Sequence, residues 1–150
     1  MPHTYTSCLI HYVFSTKGRC KSIPSDLRAR LYPYFGGIAR EHGMKAIAVG
    51  GTDDHLHVLM SLPATMSVSK AAQLIKGGSS KWVHDTFAAQ AAFTWQEGYG
   101  AFSIGVTGIP ETVRYIERQV EHHRTHSFED EYREFLNRHG IQYDEAHVWG

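Results

Sequence analysis

The segment His55-Leu56-His57-Val58-Leu59-Met60 constrains this chain more than any other. It lies between a turn of small and acidic residues, Gly50-Gly51-Thr52-Asp53-Asp54, and Pro63, so it reads as one strand returning from a hairpin. Residues two apart on a strand share a face, so the His55 and His57 imidazoles project side by side. Two polar residues on the wet face of a half-buried strand would have the same pattern.

A second pattern lies about sixty residues on, at Tyr115-Ile116-Glu117-Arg118-Gln119. Helical spacing stacks Tyr115 and Gln119 on one face, about 6 Å apart along the axis. Tyr115 alone is an ordinary amphipathic-helix tyrosine, packed with its hydroxyl at the rim. Brought together with the strand, the four side chains supply two imidazole nitrogens, an amide oxygen and a phenol. Those are the parts of a metal-assisted tyrosine nucleophile.

The rest of the chain sets the frame. Residues 7–16 are rich in β-branched and aromatic side chains and predict a first strand. Ser25 caps a helix through Leu27, Leu31, Phe35 and Ile38 to Gly43, with a kink or break expected at Pro33 and Gly36-Gly37. Residues 45–49 and 55–62 predict paired strands. Ser67 caps a helix that Gly77-Gly78 interrupts, and residues 93–104 look extended. Pro110 and Glu111 suit the first turn of the tyrosine helix, which should bury Val113, Ile116 and Val120. Ser127 caps a last helix closed by Gly140, and Val148-Trp149 adds an edge strand. The order is strand, helix, strand, strand, helix, strand, then two helices. It predicts an α+β fold of ferredoxin-like or RRM-like type, an antiparallel sheet with helices packed on its face. With 42% hydrophobic residues and no linker or repeat, residues 1–150 read as a single domain, with residues from about 110 onward carrying the tyrosine helix.

Composition narrows the function. No run of eighteen apolar residues exists to span a membrane, and Met1-Pro2-His3-Thr4-Tyr5 is no signal segment, so a cytoplasmic protein is expected. Cys8 and Cys20 lack metal or redox spacing and read as reduced thiols. Net charge is zero but unevenly spread. Residues 1–76 hold 9 Lys/Arg and 4 Asp/Glu, while residues 77–150 hold 6 and 11, which permits a basic binding face.

At this point the residues become those of a known group. The chain resembles the single-tyrosine HUH transposases, which include small insertion-sequence transposases and those associated with repetitive extragenic palindromes. The resemblance is carried by the opening strand and basic loop (HYVFSTKGRC), the His55-Leu56-His57 strand after Asp53-Asp54, and Lys76-Gly77-Gly78-Ser79-Ser80. It continues through Trp95 to Ser103, the Tyr115…Gln119 pattern with His122-His123, and Phe128…Glu131-Tyr132.

The resemblance implies a palm-like metal-dependent DNA strand transferase that cuts and rejoins single-stranded DNA at the foot of a hairpin. Tyr115 is its nucleophile, forming a covalent 5′-phosphotyrosine, and His55, His57 and Gln119 hold the cation. It implies a homodimer, in which the tyrosine helix of one subunit can serve the histidines of the other. No nucleotide cofactor is called for. Two imidazoles and an amide oxygen with open positions suit Mg²⁺ or Mn²⁺.

Other residues are candidates around this core. Asp53 or Asp54 can orient a histidine, or simply cap the turn. One of His122 and His123 can serve proton transfer or phosphate, or sit at the rim. Lys17, Arg19, Lys21, Lys76 and Lys81 are candidate phosphate contacts, against plain solvated surface. Phe14, Tyr99 and Phe102 either stack on unpaired bases or pack in the core. A module that binds hairpin DNA or RNA without cutting is the competing function. A zinc hydrolase of small molecules lacks a third strong ligand and a carboxylate base.

Overall fold

The computed structural model describes residues 3–150; Met1 and Pro2, the start of the N-terminal stretch read above, lie outside the described residues. The sheet is built of β1 (Leu9–Ser15), β2 (Lys45–Gly51), β3 (His55–Ser61) and β4 (Gly100–Ile104), in the order β2-β3-β1-β4 with every pair antiparallel. This is the expected α+β, ferredoxin-like arrangement. β1 runs through the middle, buried along its whole length. Its register sets Val13 opposite His57 and Ser15 opposite His55.

Alternation along β1 and β3 sorts the side chains onto two faces. Ile10, Tyr12 and Phe14 of β1, with Leu56, Val58 and Met60 of β3, meet two long helices, α1 (Ser25–Glu41) and α2 (Val68–Thr86), in the main core. The odd-numbered residues face the other way, under α3 (Ile109–Glu117), α4 (Gln119–His122) and α5 (Phe128–Arg138). There Val13 and Phe102 pack on Phe128, Tyr132 and Leu136, and Leu59 packs on Ile116. Helices therefore cover both faces, and His55 and His57 lie inside the second layer.

Several local expectations are corrected. α1 runs unbroken through Pro33 and Gly36-Gly37, because Leu31, Phe35 and Ile38 bury against the sheet and outweigh the lost backbone bond. α2 also runs straight through Gly77-Gly78. A Cβ on Gly78 would stand 3.0 Å from the Ile38 side chain, so this glycine is where the two helices approach closely.

The tyrosine helix, by contrast, is broken. Arg118 (φ −101°, ψ 22°) separates α3 from α4 and turns Val120 outward, where it is 51% exposed. Val148-Trp149 forms no strand. The Trp149 ring lies near Phe128 and Tyr132, with the Arg19 and Arg133 guanidiniums 5.0 and 5.1 Å from its centre. Only residues 100–104 of the extended stretch join the sheet as a strand, with Trp95 bridging Thr16. Ser67 and Ser127 do cap their helices, each accepting a backbone N–H three residues on; Ser25 does not, because Pro24 takes the cap position and Ser25 is already the first helical residue. Both cysteines are free thiols. No helix among the described residues is long and apolar enough to cross a membrane.

Candidate active site

His55 and His57 are buried, at 1% and 0% exposure, with both rings turned toward the layer of α3, α4 and α5. Each is held from behind. The Nδ1 of His55 donates to Asp54 Oδ1 at 2.9 Å and lies 2.9 Å from Thr52 Oγ1, both on the β2–β3 turn. Of the two aspartates, Asp54 thus orients a histidine. His57 Nδ1 meets His11 Nε2 at 2.8 Å, a diagonal neighbour across the sheet. Both Nε2 atoms are left pointing at the same place.

The helical layer brings the remaining groups. Gln119 is 1% exposed; its Oε1 lies 3.0 Å from His55 Nε2, while its Nε2 faces Tyr115 O at 3.4 Å and Glu131 Oε2 at 3.3 Å. The Tyr115 hydroxyl donates to Glu131 Oε2. The helix break at Arg118 has not separated Tyr115 from Gln119. All these side chains are drawn from the single chain described.

Two groups at the centre had not been read as ligands. His123 places Nε2 3.0 Å from Gln119 Oε1 and 3.2 Å from Glu131 Oε1. Glu131, 3% exposed in the first turn of α5, puts Oε1 2.9 Å from His57 Nε2. One ligand atom from each of His55, His57, His123 and Glu131 lies within 4.8 Å of every other. Such a set fits a divalent ion. The sequence offers His123 a proton-transfer or phosphate role or a place at the rim, not a ligand position. Glu131 carried a faint signal, a charged residue within the buried stripe Phe128, Tyr132 and Leu136.

The electrostatics follow from burial. Desolvation opposes the charge on Glu131, but His57, His123 and His55 outweigh it and hold the carboxyl well below the usual carboxylate range. The anionic form is favoured. Burial lowers His57 and drives His11 far down, so both favour the neutral ring. His123 moves up, because its bond to Glu131 and that charge exceed the cost of burial. Burial and then Glu131 push the Tyr115 phenol well above its ordinary value. Beside it lies a cleft of about 410 Å³ whose walls include His11, Tyr115, His122, Phe135 and Arg138.

The basic candidates divide. Lys17 and Lys21 are exposed on the loop after β1; Arg19, at φ 55°, lies by Trp149 and 3.7 Å from Glu129. Lys81 is exposed and pairs with Asp85 at 3.0 Å. Lys76 is different: its ammonium donates to the carbonyls of Gln96, Glu97 and Gly98 at 2.6, 3.1 and 2.8 Å, which ties α2 to the loop before β4. Phe14 and Phe102 are buried in the core, and Tyr99 packs against Tyr12.

A metal-capable histidine strand faced by a tyrosine helix, on a ferredoxin-like sheet, defines a class of DNA-processing proteins, and the comparisons agree. The family described as IS200-like transposase matches residues 4–119. The chain belongs to that family. It is 25% identical over 127 residues to the transposases for insertion sequence element IS200 of Salmonella typhimurium and Salmonella typhi, covering 81% of this chain and 82% of each of those. Its fold is similar to the crystal structure of a putative transposase from Deinococcus radiodurans, with TM-score 0.66 and 18% identity over 79% of this chain and 95% of that one. It is also similar to a REP-associated tyrosine transposase bound to a REP hairpin, with TM-score 0.55 and 16% identity over 77% and 68% of the two chains.

Proposed function

We propose that this transposase, acting as a single domain over residues 1–150, is a metal-dependent strand transferase that cleaves and rejoins single-stranded DNA at hairpin ends. The observation that carries this reading is the Tyr115 hydroxyl, hydrogen-bonded to the carboxylate that also contacts the two strand histidines.

The chemistry is a phosphoryl transfer with a protein nucleophile. At neutral pH only about one free tyrosine in a thousand is phenolate, and here burial and Glu131 favour the phenol further. The proton must therefore leave as the bond forms, and Glu131 Oε2 is the atom placed to receive it first. The Tyr115 oxygen attacks phosphorus, the bond to the 3′-oxygen breaks, and that oxygen gains a proton as a free 3′-hydroxyl. The phosphodiester energy is kept in a 5′-phosphotyrosine, so rejoining needs no nucleotide cofactor. His55, His57 and Gln119, with His123 and Glu131 beside them, would hold Mg²⁺ or Mn²⁺. Such an ion neutralises charge on the phosphate oxygens and orients the phosphate. The cleft beside Tyr115 is the space available for the substrate.

The hairpin substrate is supported by family membership and by the similar fold of the transposase bound to a REP hairpin. Lys17, Arg19, Lys21 and Lys81 are the proposed backbone contacts, with Lys76 acting by shaping the loop before β4. Two ends to join make a homodimer the working unit, with the tyrosine helix serving the histidines of its own subunit or of the other. Its place is the cytoplasm, where its DNA lies.

The test is a labelled single-stranded hairpin oligonucleotide incubated with protein and Mn²⁺, then run on a denaturing gel. Label that stays with the wild-type chain and is lost in Tyr115→Phe supports the reading. Tight hairpin binding with no adduct from wild type would make the protein a binding module instead.

A further inference from the structure

One ligand atom from each of His55, His57, His123 and Glu131 converges on the centre, every one within 4.8 Å of the others. His123 Nδ1 lies 2.7 Å from the backbone carbonyl of His126, which can only accept, so Nδ1 is committed there and Nε2 is the nitrogen turned inward. His55 is fixed the same way, its Nδ1 hydrogen given to Asp54. Both inward nitrogens then face the same two oxygens. His55 Nε2 meets Gln119 Oε1 at 3.0 Å and Glu131 Oε1 at 3.6 Å; His123 Nε2 meets the same two atoms at 3.0 and 3.2 Å. The Gln119 amide turns its oxygen to the two imidazoles and its NH₂ to Tyr115 O and Glu131 Oε2.

Glu131 sharpens the point. It is a buried anion whose ion-pair partners among the described residues are imidazoles alone, those of His55, His57, His122 and His123. A buried charge without a full counter-charge is costly. Imidazole nitrogens converging on a buried carboxylate are the donor set that a divalent cation binds.

We propose that the metal centre is a three-histidine, one-carboxylate site, ligated by Nε2 of His55, His57 and His123 and Oε1 of Glu131, which selects a first-row transition ion over Mg²⁺. It deepens the functional reading above, on which it rests for the role of the metal. Magnesium prefers an all-oxygen octahedral shell, whereas imidazole-rich sets favour Mn²⁺, Co²⁺ and Zn²⁺. Gln119 then acts mainly through its NH₂, holding Glu131 and the Tyr115 backbone in place.

The test is metal binding without DNA. Mn²⁺ is titrated into wild type, Glu131→Gln, His123→Ala and Gln119→Ala by electron paramagnetic resonance of the free ion, with Mg²⁺ as competitor. The expected result is one site, Mn²⁺ tighter than Mg²⁺ by about 10-fold or more, a loss of at least about 10-fold in Glu131→Gln and His123→Ala, and a smaller loss in Gln119→Ala. Wild-type affinity in the first two variants with a loss in Gln119→Ala would return the site to two histidines and an amide, and overturn the proposal. Equal affinity for Mg²⁺ and Mn²⁺ would also overturn it. If a variant does not fold by circular dichroism, X-ray absorption of the Zn²⁺-loaded wild type decides: three imidazoles support the proposal and two refute it. A protein that binds Mn²⁺ as expected yet forms no DNA adduct would keep this site and lose the strand-transfer reading.

Discussion

The Tyr115 hydroxyl donates its hydrogen bond to Oε2 of Glu131, sixteen residues further along and on a different helix. The other oxygen of that carboxylate faces His57. One buried side chain therefore joins the proposed nucleophile to the histidine pair, and neither short motif contains it.

Tyr115→Phe removes the nucleophile and little else. The ring stays packed among His57, His122 and Phe135. Covalent adduct should vanish on a denaturing gel, while hairpin affinity by fluorescence anisotropy stays within about threefold, since less than a kcal/mol of binding is at stake. An adduct in the mutant would show that another residue attacks.

His57→Ala should abolish cleavage by lowering metal occupancy, with partial recovery at high Mn²⁺. Mass action drives that recovery, because the remaining ligands still bind weakly. Wild-type cleavage in EDTA would remove the metal from the mechanism.

Gly50 and Gly77 should respond in opposite directions to alanine. A Cβ on Gly50, opposite His57 in the sheet, would stand 2.1 Å from the backbone oxygen of Ile116, next to Tyr115. Neither backbone can yield cheaply, so Gly50→Ala should cost about 3 kcal/mol by urea unfolding and reduce adduct yield with it. Gly77 lies in α2 with nothing within 4 Å of a built Cβ, so Gly77→Ala should gain about 0.5–1 kcal/mol. A neutral Gly50→Ala would mean that β2 and α3 do not meet as described.

Lys76 and Lys17 should separate stability from DNA contact. Lys76→Met loses a charged donor to three carbonyls and should destabilise by about 2 kcal/mol, leaving the salt dependence of hairpin binding unchanged. Lys17→Ala, on the exposed loop, should leave unfolding unaffected and lower the log–log salt slope by roughly one. The reverse pattern would exchange their roles.

Local patterning alone determined the sheet and its chemistry-bearing strand. The β-branched and aromatic content of residues 7–16 and the alternation at His55-Leu56-His57-Val58 need no distant partner to be read, and the second implies that His55 and His57 share a face. The α+β order and the two serine caps are equally local. Helix continuity was less legible: Pro33 and Gly77-Gly78 look like breaks until the packing of Leu31, Phe35 and Ile38 is known. The break that does occur, at Arg118, carries no breaker residue.

What only the tertiary structure decided is the company those histidines keep. His11 reaches His57 across a strand pair, and Glu131 arrives on a helix that packs over the sheet through Phe128, Tyr132 and Leu136. A carboxylate in an acidic triplet looks solvated in sequence. It is buried because the apolar residues on either side of it must be, and helix geometry leaves it nowhere else to point.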